Sequence, residues 1–583
     1  MAGNTASLQG NITNNANLVF AQGTNGTFNG TLSGTGTTTK QGAGSLLLTG
    51  NQPFSGAFNV NQGTLQVGNA DNPGTNLGAQ VTVANGAALT GNGTVASLTN
   101  HGTVLPGPAG NLNVSGNFTN ASDGNLVIDL GTAPVNYLNV GGTANLGGSL
   151  TVANLAGGNG QYTVVSATGG INGTFASNNL MNSAFLNSSL DYGASQVTLS
   201  VSRNGNAFAD VAASSNQRGV ATALESAGAP TSLRDNILPL DRQAAQSAFD
   251  SLSGEIHAST ATVLIEDSRY IRDAVNDRMR QPDCSREDDP RRTLAPTANQ
   301  QLTSEGCQGQ AVGWIRAIGG WGDYDGSSSH ASVDRDLSGF MLGVDRALDD
   351  QWKVGIAAGY TRSSIDAHRR QSDASVDSYH LATYLGYQMD AFAARLGASY
   401  TWHDIDTKRD VQVGSYDDRL KAKYKARSAQ VFGEVGYAID AGGIALEPFA
   451  GLAYVNYDSD SAREKGGDGR LKASVDQDVT FSTVGVRAGK RIKLDNGSEI
   501  TPRLSVGWRH AFGDTKPDAD ARFIAGGAGF STEGVPIARD AAVVEAGVDL
   551  AVGQSGKLGV GYSGQLSSEN RDHGVVLSFS MGF

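Results

Sequence analysis

Residues 1–202 of this 583-residue chain hold little that could do chemistry. They contain one histidine, His101, no cysteine and no glutamate, and their charged residues are Lys40, Asp71, Asp123, Asp129 and Asp191. A Ser-His-Asp triad would have to be built on His101, which sits in Asn100-His101-Gly102, a turn sequence in which a solvated imidazole is the plainer expectation. No Gly-x-Ser-x-Gly elbow is present, and the spacing of the aspartates proposes no carboxylate pair of the kind that glycoside hydrolysis needs. No catalytic residue, cofactor or metal site is therefore expected. His368, His403, His510 and His573 fall near the ends of polar loops and read as solvated. The two cysteines, Cys284 and Cys307, flank a loop rich in Pro and Arg that holds no histidine for a metal site. In an exported protein a pair this close reads as a disulfide, two free thiols being the alternative.

Most of the charge lies further on, and in the last 273 residues it alternates with apolar residues. Val575, Leu577, Phe579, Met581 and Phe583 alternate with Val576, Ser578, Ser580 and Gly582; Leu504, Val506 and Trp508 with Arg503, Ser505 and Arg509; Val544, Ala546, Val548 and Leu550 with Glu545, Gly547 and Asp549. A period of two places each set on one face of a strand. Charge in mid-strand opposite an apolar face predicts a membrane barrel, apolar toward lipid and polar toward a lumen. Arg316, Arg395, Glu434, Arg487, Arg503, Arg509, Glu545 and Asp549 are the expected lumenal charges. Twelve such segments fall at roughly 311–323, 333–348, 351–366, 375–389, 392–406, 425–440, 443–458, 474–492, 498–512, 540–552, 556–567 and 571–583. Tight turns alternate with long polar loops at 324–332, 367–374, 407–424, 459–473 and 513–539, the pattern of an outer-membrane barrel. Tyr360, Tyr387, Tyr400, Tyr437, Tyr454, Trp508 and Tyr562 near strand ends suit an interfacial girdle. A soluble all-β repeat is the competing reading.

Between 206 and 282 the period changes. Ala245, Phe249, Leu252, Ile256, Val263, Ile271, Val275 and Met279 recur at helical steps, with Gly254 as a possible break and Pro282 as a stop. Asp267, Arg269, Arg272 and Asp273 lie on the other faces. One reading is a helix packed on a barrel rim. The other, which length favours, is a helix within 241–282 that threads the pore, since about twenty helical residues span ~30 Å. Its apolar stripe would be poorly matched to a polar lumen, unless inward aromatics such as Tyr384 receive it.

The first 202 residues are Gly, Asn, Thr, Ser and short apolar triplets such as Leu46-Leu47-Leu48, Val81-Thr82-Val83 and Leu126-Val127-Ile128. Turns such as Asn85-Gly86 separate them at intervals near twenty residues, which predicts the coils of a parallel β-helix. A net charge of −13 argues against a nucleic-acid partner. No apolar window is long enough for a transmembrane helix, and Met1-Ala2-Gly3-Asn4-Thr5 does not begin an export signal, so the native N-terminus is expected elsewhere.

Several segments resemble those of bacterial autotransporters of the classical monomeric type. Gln41-Gly42-Ala43-Gly44-Ser45-Leu46-Leu47-Leu48-Thr49-Gly50 with Gly56 to Leu65 resembles their passenger-associated repeat; residues 136–201 resemble the end of such passengers; and Leu252-Ser253-Gly254-Glu255-Ile256-His257-Ala258-Ser259 resembles the lead into their translocator. The resemblance implies a mainly β chain: a β-helical passenger fragment at 1–205, with 136–201 autochaperone-like; a helical linker at 206–310; and a 12-stranded antiparallel outer-membrane β-barrel at 311–583. It implies secretion and display of the passenger at the cell surface, with the barrel in the outer membrane. Phe579, Met581 and the C-terminal Phe583 resemble the family's membrane-insertion signal. Implied partners are outer-membrane lipid, the barrel-assembly machinery and periplasmic chaperones, with the chain a monomer. The alternative function is the C-terminal part of a subtilisin-like serine protease autotransporter whose catalytic head lies upstream of residue 1. A general diffusion porin is a weaker third reading.

Overall fold

A computed structural model describes the chain except residues 108–109, 132–136, 154–158, 180–181, 282–310, 350, 496–497 and 553–555. The proposed Cys284–Cys307 bridge and Pro282 lie outside the described residues. The chain divides into two units, residues 1–207 with 235–245, and residues 208–234 with 246–583.

The first unit is a solenoid of short parallel strands. Leu18, Thr38 and Phe58 occupy one register column over three successive coils, and Leu46, Leu65 and Leu89 another. Inward Leu, Val and Phe, fully buried from Phe20 to Val165, form one continuous core. Each coil is too short to bury its own apolar face, so stacking supplies the core. Turn asparagines bridge coils as well: the Asn100 side chain donates to Asn120 Oδ1 at 2.7 Å, and Asn120 donates to the Gly147 carbonyl at 2.7 Å. Lys40 is buried, and its ammonium donates to the carbonyls of Gly42 at 2.7 Å and Gln62 at 2.9 Å, which ties one turn to the next. The parallel pattern expected through residue 201 stops earlier. Gly160–Ala167 and Leu186–Tyr192 both pair antiparallel with Gln196–Arg203. This hairpin covers a ladder edge that a further parallel strand would leave open.

The second unit contains four helices' worth of chain before its sheet: α1 (Ser215–Glu225), α2 (Thr231–Ile237), α3 (Arg242–Leu252) and α4 (Ile256–Arg280), of which α2 and α3 cross the division between units. Gly254, at φ 68°, separates α3 from α4. Twelve long strands follow: β1 (Ala311–Tyr324), β2 (Val333–Ala347), β3 (Trp352–Ala367), β4 (Ser372–Met389), β5 (Phe392–Val413), β6 (Tyr416–Tyr437), β7 (Ala445–Ser459), β8 (Asp476–Gly489), β9 (Glu499–Phe512), β10 (Asp540–Val552), β11 (Gly556–Leu566) and β12 (Asn570–Gly582). Each pairs antiparallel with its sequence neighbours, and β1 pairs with β12 over thirteen positions, from Val312↔Gly582 to Tyr324↔Asn570, which closes the barrel.

The outward face is apolar on every side, with Ile356, Leu381, Leu396, Val431, Leu452, Leu504, Val560 and Leu577 all exposed. A band of this extent on an ordinary water-soluble surface would aggregate, so it meets lipid. Tyr400, Tyr437, Tyr454 and Trp508 are exposed as a girdle requires, joined by Trp321, Trp352, Tyr379 and Trp402; Tyr360, Tyr387 and Tyr562 are half-buried.

Several expected loops are partly sheet, among them 367–374, where β3 runs to Ala367 and β4 starts at Ser372. Residues 407–424 continue β5 and β6 up to a turn at Gly414-Ser415. Outside the apolar zone both strand faces can be polar, so the alternation that marks a membrane strand is lost while the ladder goes on. Ala462–Arg463, Leu471–Ser474, Asp518–Phe523 and Phe530–Glu533, drawn from the loops at 459–473 and 513–539, form a second, four-stranded sheet on the long-loop side.

Candidate functional site in the barrel lumen

α4 occupies the barrel interior and is buried along most of its length. At about 1.5 Å per residue, its 25 residues measure about 37 Å. Its N-terminal turn lies on the long-loop side. There the Glu255 carboxylate accepts the Ala331 N–H at 2.7 Å, and His257 Nε2 lies 3.1 Å from Glu464 Oε1. Its C-terminal turn lies among side chains near the short turns, such as Asp345 and Glu434.

Charged and polar groups on the helix meet partners on the wall down its whole length. Glu266 accepts two hydrogen bonds from Arg509, at 2.6 and 2.9 Å, and one from Gln565 at 3.0 Å. Asp267 pairs with Arg335 at 2.7 Å and accepts from Ser363 at 3.0 Å. Arg269 donates to Ser563 at 3.0 Å and pairs closely with Asp572, which also receives Arg335 and, at 2.7 Å, the Tyr270 hydroxyl. Arg272 donates to Gln430 at 3.2 Å. Asp277 pairs with Arg316 and, at 2.6 Å, with Arg280. Arg278 forms a two-pronged pair with Asp345, at 2.7 and 2.8 Å. Below them Arg280, Arg395 and Arg487 converge on Glu434, with Glu447 accepting from Arg395 at 2.7 Å and Glu545 3.9 Å from Arg280. Buried charge is costly unless paired, and this pairing removes most of that cost.

The expected residues thus meet in two clusters, Asp267 and Arg269 around Arg335 and Asp572, and Arg316, Arg395, Glu434, Arg487 and Glu545 linked through Asp277 and Arg280. The Asp273 carbonyl accepts from Arg316 at 3.5 Å. Arg335, Asp345, Glu447 and Asp572 were not singled out; the three carboxylates offset the surplus of arginines among the expected lumenal charges, and Arg335 joins Asp267 to Asp572. Their signal was position: Arg335 shares its inward face with Val333 and Leu337, and Asp572 extends the thin face of the last strand. Most inward residues of those two segments are small or apolar, so Arg335 and Asp345 on β2, and Asp572 on β12, carry little weight there.

Two expectations need correction. The lumen is not simply polar: Ile256, Val263, Leu264 and Ile271 share a core cluster with inward Trp314, Ile318, Leu337, Met341, Tyr384 and Phe481. Helix and wall therefore pack much as a protein interior does. Space for this comes from inward glycines. Gly320 and Gly574 are paired across the closing seam, and a Cβ on Gly320 would stand 2.6 Å from the Tyr270 hydroxyl. His403, read as solvated, is buried on the inner wall, with Nδ1 at 2.8 Å from Ser378 Oγ and Nε2 at 2.9 Å from Ser428 Oγ. Its inward register position outweighs its closeness to the loop. His368 and His101 are exposed, paired with Asp334 and Asp123.

Glu464, outside the membrane zone, accepts two hydrogen bonds of 2.8 Å from Arg409 and the Leu471 N–H at 2.8 Å. Burial alone would raise its carboxyl pKa, but Arg409, its hydrogen bonds and His257 outweigh burial and hold it down at about 2, against an ordinary 4.5. A depressed carboxyl contributes stability that is present above pH 4.5 and lost as pH falls through 4.5 toward 2. Glu464→Gln is therefore expected to lower stability at pH 7 by on the order of 3 kcal/mol, with the difference from wild type shrinking to nothing near pH 2. Denaturant midpoints at several pH values check this; a difference that stays constant with pH would refute it.

A closed barrel with an apolar exterior and a helix packed through its lumen, preceded in the chain by a β-solenoid, defines an outer-membrane translocator carrying its own passenger. Residues 313–563 match the autotransporter beta-domain, and residues 39–67, which include Lys40, match the passenger-associated-transport-repeat. The chain belongs to the autotransporters, with its barrel in the outer membrane and its passenger displayed outside the cell. It is 32% identical to an extracellular serine protease of Serratia marcescens over 612 aligned positions, covering 95% of this chain and 56% of that protein. It is 29% identical to the esterase EstA of Pseudomonas putida over 199 positions, covering 33% of this chain and 30% of that one. The chain thus spans about half the length of the serine protease that it matches along nearly all of its own. The translocator domain of autotransporter NalP from Neisseria meningitidis aligns at 15% identity and a TM-score of 0.41, covering 57% of this chain and 100% of that one.

Proposed function

We propose that the passenger at 1–205 leaves through the barrel at 311–583, and that the part of the 206–310 linker within 241–282 stays behind as the plug. The observation that carries this is the run of ion pairs from Glu266 to Arg280, which gives the helix a fixed seat in the lumen. The direct test is cells that express the chain behind an export signal. Added protease should remove the epitopes of 1–205 while the barrel fragment, with α4, stays in the membrane. A passenger that becomes accessible only after the cells are broken would refute the reading.

Insertion rests on Phe579, Met581 and Phe583, three outward, exposed apolar residues at the end of β12, recognised by the barrel-assembly machinery after passage with periplasmic chaperones, the product being a monomer. Deleting Phe583 is expected to cut the heat-modifiable barrel in outer-membrane fractions several-fold; unchanged insertion would count against this role. Residues 136–201 start folding of the passenger, an idea supported by Tyr162 and Phe175, which pack on or in the solenoid core, and by the capping hairpin. Limited proteolysis should leave a resistant fragment containing Tyr162 and Phe175. A resistant fragment lying wholly before residue 100 would reverse the claim.

A second reading is that the intact protein is a subtilisin-like serine protease with its catalytic head ahead of residue 1. The likeness to the extracellular serine protease over nearly the whole chain favours it. The gene sequence upstream decides: an Asp, His and Gly-Thr-Ser-Met-Ala set there supports it, and any other domain excludes it.

A further inference from the structure

The hairpin of β5 and β6 rises well beyond the apolar band, and its outer face carries an ordered row of cations. Arg419, Lys421, Lys423, Lys425 and Arg427 take five successive outward positions on β6, all exposed. The row starts where the lipid-facing surface ends, since Arg427 is paired in register with the exposed girdle residue Trp402. Four of the five have acidic partners: Arg419 with Asp410 at 2.6 Å, Lys423 with Asp406 at 2.8 Å, Lys425 with Asp404 at 3.7 Å and Arg427 with Asp458 at 2.7 Å. Exposed pairs of this kind add little to stability, and taken alone they would read as a solvated surface.

Lys421 breaks the pattern. Directly opposite it on β5 stands Lys408, and on its other side an isolated bridge brings up Lys465. Lys408 reaches Asp373 at 3.5 Å, while the ion pairs among the described residues include neither Lys421 nor Lys465. Like charges directly opposite on neighbouring strands destabilise a sheet. Three ammonium groups on adjacent chain segments, with strands about 4.8 Å apart, form a site that a multiply charged anion would relieve. The neighbouring β3–β4 hairpin has no such row: its outward residues there include Asp366, Asp373 and Asp377 beside Arg362.

Height selects the anion. From the level of Arg427 to Lys421 is six residues, about 20 Å along the strand and roughly 15 Å along the membrane normal at the usual tilt. A phospholipid headgroup layer is only about 5–8 Å deep. We propose that this face binds the phosphorylated saccharide headgroup of an outer-leaflet glycolipid, with Lys425 and Arg427 near the membrane surface and Lys408, Lys421 and Lys465 on phosphates further out.

The test uses the full chain in detergent, titrated with a phosphorylated glycolipid that keeps its saccharide core, with the same lipid after phosphatase treatment, with a zwitterionic phospholipid, and with inorganic phosphate. At about a factor of five per lysine near an anionic surface, the triple variant K408Q/K421Q/K465Q should bind the phosphorylated lipid at least tenfold more weakly than wild type. Heat-modifiable mobility verifies that the variant is folded, and Lys516→Gln, in another loop, should leave binding unchanged. Asp373→Asn, which frees Lys408, should tighten binding two- to threefold. Equal binding by wild type and triple variant, or equal binding of the dephosphorylated lipid, would overturn the proposal. Displacement by inorganic phosphate at matching concentration would overturn the lipid as its source, and weaker or unchanged binding by Asp373→Asn would count against Lys408 as a ligand.

Discussion

Deleting residues 241–282 is expected to turn a nearly silent barrel into one with steady, large conductance in planar bilayers. A helix with its side chains is about 10–12 Å across, and this one is in contact with the wall along most of its length. Its removal would leave a shaft of roughly that width, lined in part by Arg335, Arg509, Glu434 and Arg487, which would draw in water. Strand pairing does not involve α4, so the barrel can stay closed without it. Wild type should then show brief openings at most. Equal conductance with and without 241–282 would mean that the helix does not seal the pore, and the proposed plug would fall with it.

The second large effect is expected at Arg335. Its guanidinium is fully buried and serves two carboxylates, Asp267 on α4 and Asp572 on the last strand, while lying 5.6 Å from the centre of the Tyr270 ring. Arg335→Leu removes the cation that pairs with Asp267, while Asp572 keeps Arg269. Breaking a buried pair from one side costs about 3–5 kcal/mol, because the remaining charge is left uncompensated. Adding Asp267→Asn to Arg335→Leu should restore most of that loss, since Asp572 keeps Arg269 as its partner and no buried charge is then left alone. Guanidinium midpoints of the folded barrel measure both. A loss below about 1 kcal/mol for Arg335→Leu, the size expected of an exposed pair, would show that water fills this part of the lumen.

The two predictions draw on different levels of the molecule, and so did their legibility. The barrel was readable because lipid imposes a strict rule: Leu504, Val506 and Trp508 could not alternate with Arg503, Ser505 and Arg509 in a strand without choosing one face for hydrocarbon. That rule lapses above the membrane. The upper parts of β5 and β6 therefore looked like a loop, and the lysine group at 408, 421 and 465 stayed hidden. Lys408 and Lys421 are thirteen residues apart in sequence, and only the hairpin register sets them side by side.

The sequence by itself determined the fold class, the number of strands, the solenoid coils and the helix with its charged and apolar faces. Each follows from a local period, two for a strand, about twenty residues for a coil, three to four for a helix, and local periods survive in one dimension. Tertiary structure alone decided which charge meets which: that Arg335 joins Asp267 to Asp572 across 305 residues of chain, that Tyr270 rests against paired glycines at the closing seam, and that the lumen is packed with apolar side chains as well as ion pairs. Those partners are fixed by barrel closure and by the depth at which the helix sits, and neither leaves a mark in the spacing of residues along the chain.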